Sequence, residues 1–135
     1  MREVKFRGKF SKSEDKEWKY GYLTRHRNFK TDEGYYCIQH SDIQSTQVDE
    51  DSIGEFTGLK DKNGKEIYEG DIVEVSTNGM NKERLKVNWM IYYWYPFGEL
   101  YQPTYSGTII EVIGNIYENS DLLLSAKGSK EKENE

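Results

Sequence analysis

Apolar and polar residues alternate with a period of two over short stretches of the chain, and turn residues separate these stretches. Successive side chains of a β-strand point to opposite faces, so this pattern predicts short strands that each bury one face. Many short strands with turn signals at close intervals are typical of a small barrel or sandwich. The sequence therefore predicts a mostly β fold.

The first part of the chain contains three predicted strands. In the first, Val4 and Phe6 alternate with basic residues, and the others are Glu17–Leu23 and Gly34–His40. We expect residues 1–52 to form a small antiparallel β-rich subdomain.

Residues 53–126 are predicted to form an SH3-like β-barrel that ends in a short helix. Asn63-Gly64 predicts a tight hairpin with two positive φ angles. Gly70–Val73 reads Gly-Asp-Ile-Val, which is how such barrels often open, although this is an analogy of fold and does not indicate a function. Ser120 is the predicted N-cap residue of this helix.

Two further segments are predicted to lack regular structure. Ser76–Glu83 is polar and contains a second Asn-Gly pair, at Asn78 and Gly79, within a predicted loop. Residues 127–135 are too polar to bury apolar surface and are predicted to be a disordered tail.

Two long stretches, Phe56–Val73 and Glu111–Asn119, resemble the signature of the YopX family of phage and prophage proteins. The resemblance implies a small β-rich protein encoded by a bacteriophage or prophage genome. It brings no catalytic or binding residues to this chain, and it does not cover residues 76–107. The start of the chain is also similar to the start of such proteins, in Lys5–Lys9, Trp18 and Gly21-Tyr22.

The charge of the chain is unevenly distributed. The formal net charge is −5, which argues against indiscriminate binding to nucleic acid. Residues 1–31 hold ten basic and four acidic side chains, a balance of +6, and residues 32–58 hold seven acidic and no basic ones, a balance of −7. The remaining residues, 59–135, carry nine basic and thirteen acidic groups, a balance of −4. The first two blocks have two interpretations. Either they contact each other, within one chain or between copies of it, or they are two solvated faces that never touch.

The sequence also predicts where the protein resides. No stretch approaches the ~20 apolar residues of a membrane-spanning helix, and Met1–Lys5 is not followed by the apolar region of a signal peptide. The single cysteine, Cys37, suits a reducing compartment. We expect a cytoplasmic protein of a bacterial host cell with no membrane partner.

The search for catalytic or metal-binding groups yields no candidate. Cys37 and His40 are three residues apart on a predicted strand, so their side chains point to opposite faces. Asp49–Gly54 resembles the start of a calcium loop, but Ile53 and Lys60 occupy positions that need oxygen ligands. The sequence therefore predicts no catalytic, metal or cofactor site, and no enzyme.

An aromatic run, Trp89–Tyr95, has two interpretations. It is either a buried strand or a surface on which aromatic rings contact a partner. We expect Trp89 to lie in the core and leave Trp94 open between core and contact. The candidate partner contacts are Tyr92, Tyr93, Trp94 and Tyr95.

A cationic strand face formed by Lys5, Arg7 and Lys9 is the candidate nucleic-acid contact. Aromatic residues follow it closely in the sequence, and basic groups interleaved with aromatic rings suit single-stranded nucleic acid. The alternative is an edge strand that lysine protects from aggregation. The aromatic residues are Trp18, Tyr20 and Tyr22.

The leading functional hypothesis is a non-enzymatic protein-interaction module that self-associates into a homo-oligomer and acts through a host or phage protein. The charge blocks, the aromatic run and the three leucines Leu122–Leu124 motivate it, because a monomer would expose part of that apolar surface. A small-barrel nucleic-acid-binding protein is the alternative. An uncharacterised enzyme is the second alternative.

Overall fold

The computed structural model describes residues 4–90, 93–97 and 107–123. It confirms a mostly β protein with antiparallel strand pairing. The chain divides into two compact units, Met1–Phe56 and Thr57–Glu135. The subdomain boundary predicted after residue 52 lies shortly before this division.

The first unit is built on one antiparallel sheet in which the strands are ordered β4-β3-β2-β1-β5. A 3-10 helix over Glu50–Ser52 precedes β5, whose first residues pair with β1. The strands are β1 (Phe6–Gly8), β2 (Lys19–Arg27), β3 (Gly34–Gln39), β4 (Ser45–Val48) and β5 (Gly54–Lys60), which continues into the second unit.

Strand β2 changes partners at Gly21. Its residues up to Gly21 pair with β1, and those from Tyr22 onward pair with β3. Gly21 has a φ of 159°, and a Cβ atom there would collide with the main-chain carbonyl of Gln39. Glycine is therefore required where the two ladders meet, because no side chain fits between the two main chains.

The second unit contains a three-stranded sheet ordered β11-β7-β8 and a two-stranded hairpin of β9 and β10, while β6 neighbours the end of β5. In the part of the chain that the structure describes, β8 and β11 are edge strands and no barrel closes, so the SH3-like barrel is not confirmed. The elements are β6 (Glu66–Tyr68), β7 (Asp71–Thr77), β8 (Met80–Lys86), β9 (Asn88–Trp89), β10 (Trp94–Tyr95), β11 (Thr108–Asn115) and α1 (Ile116–Asn119).

Alternate residues of these strands form the core of the second unit. Val73 and Val75 of β7 lie opposite Val112 and Ile110 of β11, so all four side chains share one face of the sheet. The core cluster comprises Ile67, Val73, Val75, Val87, Trp94, Phe97 and Ile110. It shows that the alternation in the sequence marks a real buried face.

The Asn78-Gly79 pair forms the tight hairpin turn of this unit. Both residues have positive φ, 52° and 78°, and the strands meet at the Thr77–Met80 pair. Two positive φ angles define the two-residue turn that matches the twist of the flanking strands. The predicted polar loop is therefore the turn and second strand of a β-hairpin.

The Asn63-Gly64 turn differs from the prediction. Gly64 has a φ of 81°, whereas Asn63 is not among the residues with positive φ. The carboxylate of Asp61 accepts hydrogen bonds from the amides of Asn63 and Lys65, at 2.8 and 2.9 Å, and the Gly64 amide donates to the Asp61 carbonyl. The predicted pair of positive φ angles is wrong here because this aspartate sets a different turn.

A short helix that was not predicted directly precedes the predicted one, of which residues 121–123 are helical in the structure. The preceding helix covers Ile116–Asn119, and the side chain of its N-cap residue, Asn115, accepts a hydrogen bond from the Glu118 amide at 2.8 Å. Ser120 is therefore at the C-terminal end of this helix. Leu124 and the predicted disordered tail, 127–135, lie outside the described residues.

Among the helices in the described ranges, none has both the length and the apolar character required to cross a membrane.

Candidate functional site

The three candidate nucleic-acid contacts of β1 and its flanks each lie over an aromatic ring. The Arg7 guanidinium is 4.7 Å from the centroid of the Trp18 ring, and the Lys9 Nζ atom is 5.7 Å from the same centroid. The Lys5 Nζ atom is 5.2 Å from the centroid of the Phe56 ring. Such contacts orient the cations. The fold therefore brings Arg7 and Lys9 to Trp18, which the sequence grouped with them, and brings Lys5 to Phe56, which it did not.

Two exposed tyrosines lie beside this cationic strand. Tyr20 is opposite Arg7 in the β1–β2 ladder and is 44% exposed, and Tyr22 is 69% exposed. Gly21 and Leu23, which directly follow these tyrosines in the strand, are less exposed. The two rings therefore present apolar surface to solvent next to Lys5, Arg7 and Lys9, of which Arg7 is itself only 6% exposed.

The acidic residues of the first unit lie mainly at the ends of strands. Strands β1 to β4 contain no Asp or Glu, although they contain Arg7, Lys19, Arg25 and Arg27. The acidic block, residues 32–58, is distributed over turns, the 3-10 helix and β5, and one of its members, Asp32, forms an ion pair with Arg27 of the basic block. Its members are Asp32, Glu33, Asp42, Asp49, Glu50, Asp51 and Glu55.

One acidic turn does neutralise a basic residue of β2. Lys19 forms ion pairs with Asp15 at 3.2 Å and Glu17 at 3.7 Å. The Glu17 amide, the Ser13 hydroxyl and the Lys19 ammonium group hold the pKa of Asp15 below its ordinary value. Lys19 is therefore the cation of β2 whose charge is locally balanced by this turn.

The aromatic run of the second unit divides into a buried and an exposed part. Trp94 is 7% exposed and belongs to the core cluster, whereas its cross-strand partner Trp89 is 47% exposed. The two indole rings meet edge to face with centroids 5.0 Å apart. The expectation that Trp89 is a core residue is wrong, because Trp94 fills that position and Trp89 packs on its outer side.

The turn between these strands adds two further exposed side chains. Met90 and Tyr93 are both exposed, and the Met90 amide donates to the Tyr93 carbonyl at 2.8 Å. Of the candidate partner contacts, Tyr93 is thus accessible, Tyr95 is partly buried, Trp94 is in the core, and Tyr92 lies outside the described residues. We call Trp89, Met90 and Tyr93 the aromatic hairpin.

The sequence signal for the aromatic hairpin is the absence of charge. Residues 87–98 include no Asp, Glu, Lys or Arg, in a chain where these make up 32% of residues. That pattern indicates apolar surface, but it does not distinguish the buried indole from the exposed one. The tertiary structure decides that Trp94 of β10 is buried and that its partner Trp89 of β9 is exposed.

Asp61 is a buried carboxylate that joins two segments of the second unit. Besides its two bonds within the Asn63-Gly64 turn, it accepts a hydrogen bond from the Val112 amide of β11 at 2.9 Å. Hydrogen bonds from amides to a carboxylate are stronger than those between neutral groups. The side chain therefore fixes this turn to the sheet.

A second buried carboxylate, Asp71, also binds a main-chain amide, and the residue before it contacts the last segment of the unit. The Asp71 side chain accepts a hydrogen bond from the Tyr68 amide at 2.7 Å, and the Ile116 amide donates to the Gly70 carbonyl at 2.8 Å. The stretches Phe56–Val73 and Glu111–Asn119 are therefore in direct contact. Both carboxylates hold main-chain amides, which gives this pair of stretches a structural role.

The profile of a protein family described as "YopX protein" matches residues 5–124. The chain belongs to the YopX family. The matched range covers all the stretches that carried the resemblance, from Lys5–Lys9 in the first unit to Glu111–Asn119 in the second. Comparison with curated proteins gives no match.

A solved structure shares the fold of this YopX family member. The crystal structure of protein EF1440 from Enterococcus faecalis has a TM-score of 0.54 and 24% sequence identity to this chain. The similarity covers 91% of this chain and 99% of that one.

Cys37 of β3 and His40, which directly follows this strand, do not meet in this YopX chain. Cys37 is buried and pairs with Gln47, whereas the His40 ring is hydrogen-bonded to the hydroxyl of Thr46 at 2.8 Å. Neighbouring residues of β4 lie on opposite faces, so the thiol and the imidazole do as well.

The acidic stretch that resembled a calcium loop has structural partners. Asp49 accepts a hydrogen bond from the Ser11 amide at 2.9 Å, and Glu50–Ser52 form the 3-10 helix. No group of three or more His, Cys, Asp or Glu in the described ranges is arranged to hold a metal ion.

Proposed function

We propose that this YopX family member is a non-enzymatic protein-interaction module that self-associates through the aromatic hairpin. The observation that carries the proposal is the exposure of Trp89, Met90 and Tyr93 on a hairpin that the buried Trp94 anchors in the core. Tryptophan, tyrosine and methionine are enriched at protein interfaces, where a few such side chains supply most of the binding energy.

A second copy of the chain is the partner that this surface fits best. In the commonest dimers the same patch of each subunit faces itself across a two-fold axis. A charged patch would repel its own copy, but residues 87–98 carry no charge. The aromatic hairpin can therefore meet itself without repulsion, even though the chain has a net charge of −5.

The contact is expected to be weak. Three exposed side chains give an interface below the roughly 1,200 Å² that marks the smaller and more transient complexes. Association should therefore depend on protein concentration in the micromolar to millimolar range.

The polar groups of the molecule support a non-enzymatic role. The carboxylates of Asp61 and Asp71 are engaged by main-chain amides. The His26 ring stacks on Tyr35 with centroids 5.4 Å apart and is hydrogen-bonded to Thr24. These groups have structural partners in place of the acid–base or nucleophile–base pairs that catalysis uses.

Sedimentation velocity over a concentration series tests the proposal. The wild-type chain should shift from monomer towards dimer as its concentration rises. The combined variant Trp89→Ser, Met90→Ser and Tyr93→Ser should remain a monomer at every concentration. Its far-ultraviolet circular dichroism should match the wild type, because all three side chains are exposed.

Met80→Ser provides the matched control. Met80 is an exposed apolar residue of the same unit at the β7–β8 turn, away from the aromatic hairpin. This variant should dimerise like the wild type. A wild-type chain that stays monomeric throughout, or a dimer that survives the triple substitution, would show that the aromatic hairpin is not a self-association surface.

The predicted cytoplasmic location, the phage or prophage origin and the action through a host or phage protein belong to the same proposal. Isolation of the self-associated protein from infected cells, followed by identification of bound proteins, tests them together.

A further inference from the structure

We propose that the outer edge of β8, the side that faces away from β7, binds an extended acidic peptide as an added antiparallel strand. The sheet of the second unit is ordered β11-β7-β8, so β8 pairs with β7 alone in the described ranges. The residues of β8 are distinct from those of the aromatic hairpin. The inference therefore goes beyond the proposed self-association and is tested separately from it.

The two edges of this sheet differ in their main-chain hydrogen bonding. The edge of β11 is closed by the turn that follows β5. There the Lys62 amide donates to the Ile110 carbonyl at 2.9 Å, and the Asp61 carboxylate accepts the Val112 amide at 2.9 Å. At Arg84 of β8, the described ranges supply no corresponding partner on the outer edge. The open edge of the sheet is therefore that of β8.

The outer edge of β8 offers main-chain groups at alternate residues. The Val87 amide donates to the Asp71 carbonyl at 2.9 Å, and the Val87 carbonyl accepts the Gly70 amide at 2.9 Å. Both groups of Val87 thus point towards β7. The direction alternates along a strand, so Lys86 and Arg84, one and three residues earlier, direct their amides and carbonyls away from β7. An added strand pairs with groups of this kind.

The side chains of this edge alternate in the same register. Lys82, Arg84 and Lys86 are exposed, whereas Glu83 and Leu85 between them are partly buried. Successive side chains of a strand point to opposite faces. One face of the edge is therefore cationic, and the other continues into the core cluster, against which Leu85 packs.

One carboxylate serves two of the three cations. The carboxylate of Glu74, which lies opposite Arg84, is 3.6 Å from the Arg84 Nε atom and 3.9 Å from the Lys82 Nζ atom. Glu111, which follows across the sheet, is paired with Lys62 at 3.7 Å. The third cation of the edge lies opposite an uncharged residue. Basic groups therefore outnumber acidic ones along this face of β8.

An acidic strand is the occupant that suits this edge. Lysine and arginine on an edge strand repel a second copy of the same edge, which protects such edges from aggregation. Side chains of opposite charge attract when they face each other across two strands. Carboxylates at every second residue of the partner would face the cations, and apolar residues between them would extend the face of Leu85. The expected pattern is an alternation of acidic and apolar residues.

A nucleic-acid strand fits this edge less well than a peptide. Its phosphates can meet the cations, but it has no row of amides and carbonyls to pair with the main chain of Arg84 and Lys86. Main-chain pairing is the source of affinity in strand addition, and alternate side chains supply the specificity. The combination of an open main-chain edge with alternate cations therefore favours a peptide.

Fluorescence anisotropy with a labelled peptide of alternating Glu and Val, as long as β8, tests the proposal. The full-length protein should bind this peptide at low salt, and a peptide of alternating Lys and Val should not bind. Affinity should fall as salt rises, because exposed charges are screened. The variant Trp89→Ser, Met90→Ser and Tyr93→Ser should bind the peptide like the wild type, which separates this site from self-association.

Two N-methylated versions of the Glu-Val peptide test for strand pairing. In an antiparallel ladder, a peptide glutamate opposite Arg84 or Lys86 directs its amide towards β8, and the neighbouring valines direct theirs away. Methylation of the glutamate amides should therefore abolish binding, whereas methylation of the valine amides should leave it unchanged. The two peptides carry the same charge, so the comparison isolates the main-chain hydrogen bonds.

Substitutions in the protein test the contribution of charge. Lys82→Gln combined with Lys86→Gln should weaken binding of the Glu-Val peptide by about tenfold, because two opposite-charge pairs are lost. Lys12→Gln combined with Lys30→Gln is the matched control. It removes the same charge from exposed turns of the first unit and should bind the peptide like the wild type.

Any one of four results would overturn the proposal. The first is an absence of binding to the Glu-Val peptide at low salt. The second is undiminished binding of the peptide that is methylated at its glutamates, which would reveal attraction by charge alone. The third is undiminished binding by the variant of Lys82 and Lys86, which would place the peptide elsewhere. The fourth is tighter binding of labelled oligo-dT than of the peptide, which would assign the cations to nucleic acid.

Discussion

The two units of this protein use their polar and aromatic residues in different ways. In the second unit, buried aspartates accept main-chain amides and a tryptophan fills the core. In the first unit, Lys5 lies over the buried ring of Phe56, the buried Arg7 lies over Trp18, and two tyrosines face solvent. The same residue types therefore fill the core and hold turns in one unit and form cation–aromatic contacts in the other.

This difference shows where the family signature has its physical basis. The stretches Phe56–Val73 and Glu111–Asn119 meet through Asp61, Val112, Gly70 and Ile116. Their residues set turns and join segments of the second unit.

The largest effect is expected for Trp94→Ala in the second unit. Removal of a buried tryptophan typically lowers the free energy of unfolding by about 3–5 kcal/mol. Trp89→Ala removes the exposed member of the same pair and should cost less than about 1 kcal/mol. Urea denaturation measures both values. Equal losses for the two variants would contradict the division of the pair into core and surface.

A smaller loss is expected for Asp61→Ala. It leaves the amides of Asn63, Lys65 and Val112 without their acceptor, which should lower the free energy of unfolding by about 3 kcal/mol. Asp51→Ala is the control, because Asp51 is exposed in the 3-10 helix. Hydrogen exchange followed by mass spectrometry should show faster exchange in the second unit for the first variant. Unchanged exchange there would argue against Asp61 as its anchor.

The smallest effect is expected for Asp15→Asn in the first unit. The pKa of Asp15 is lowered from 3.8, chiefly by the Glu17 amide and then by Ser13 and Lys19. Because the folded-state pKa is below the unfolded one, the stabilisation is present above pH 3.8 and is lost as the pH falls through the folded pKa. The side chain is exposed, so the effect is small.

Thermal unfolding of the wild type and of Asp15→Asn at a series of pH values measures this contribution. The two melting curves should differ slightly at neutral pH and converge in acid. A difference that grows on acidification would show that the charged form of Asp15 does not stabilise the fold.

The sequence predicted the strands better than the turns. Period-two alternation located most of the strands because each buries one face, as Val73 and Val75 do. The two Asn-Gly pairs were assigned the wrong way round. Asn78-Gly79 forms the turn with two positive φ angles, whereas Asn63 has a negative φ. The reason is that the side chain of Asp61, two residues before Asn63, accepts a hydrogen bond from the Asn63 amide. Local pattern alone does not show which carboxylate folds back onto the main chain.

The surroundings of the predicted contact residues were anticipated in part. The sequence grouped Lys5, Arg7 and Lys9 with nearby aromatic rings, and the sheet places them together. It did not distinguish Trp89 from Trp94, because both belong to an uncharged run and each is adjacent to a turn. The aromatic contact surface and the nucleic-acid surface stay predictions until binding is measured.

By itself, the sequence determined that this protein is built from short strands, because side-chain alternation and turn residues act locally. It also carries the motifs that relate the chain to the YopX family, whose profile matches residues 5–124. The tertiary structure decided which rings are buried, which carboxylates hold amides and which cations lie over aromatic side chains. Those outcomes depend on residues far apart in the chain, such as Asp61 and Val112 or Lys5 and Phe56. Strand pairing brings such residues together, and neither member of a pair signals its partner in the sequence.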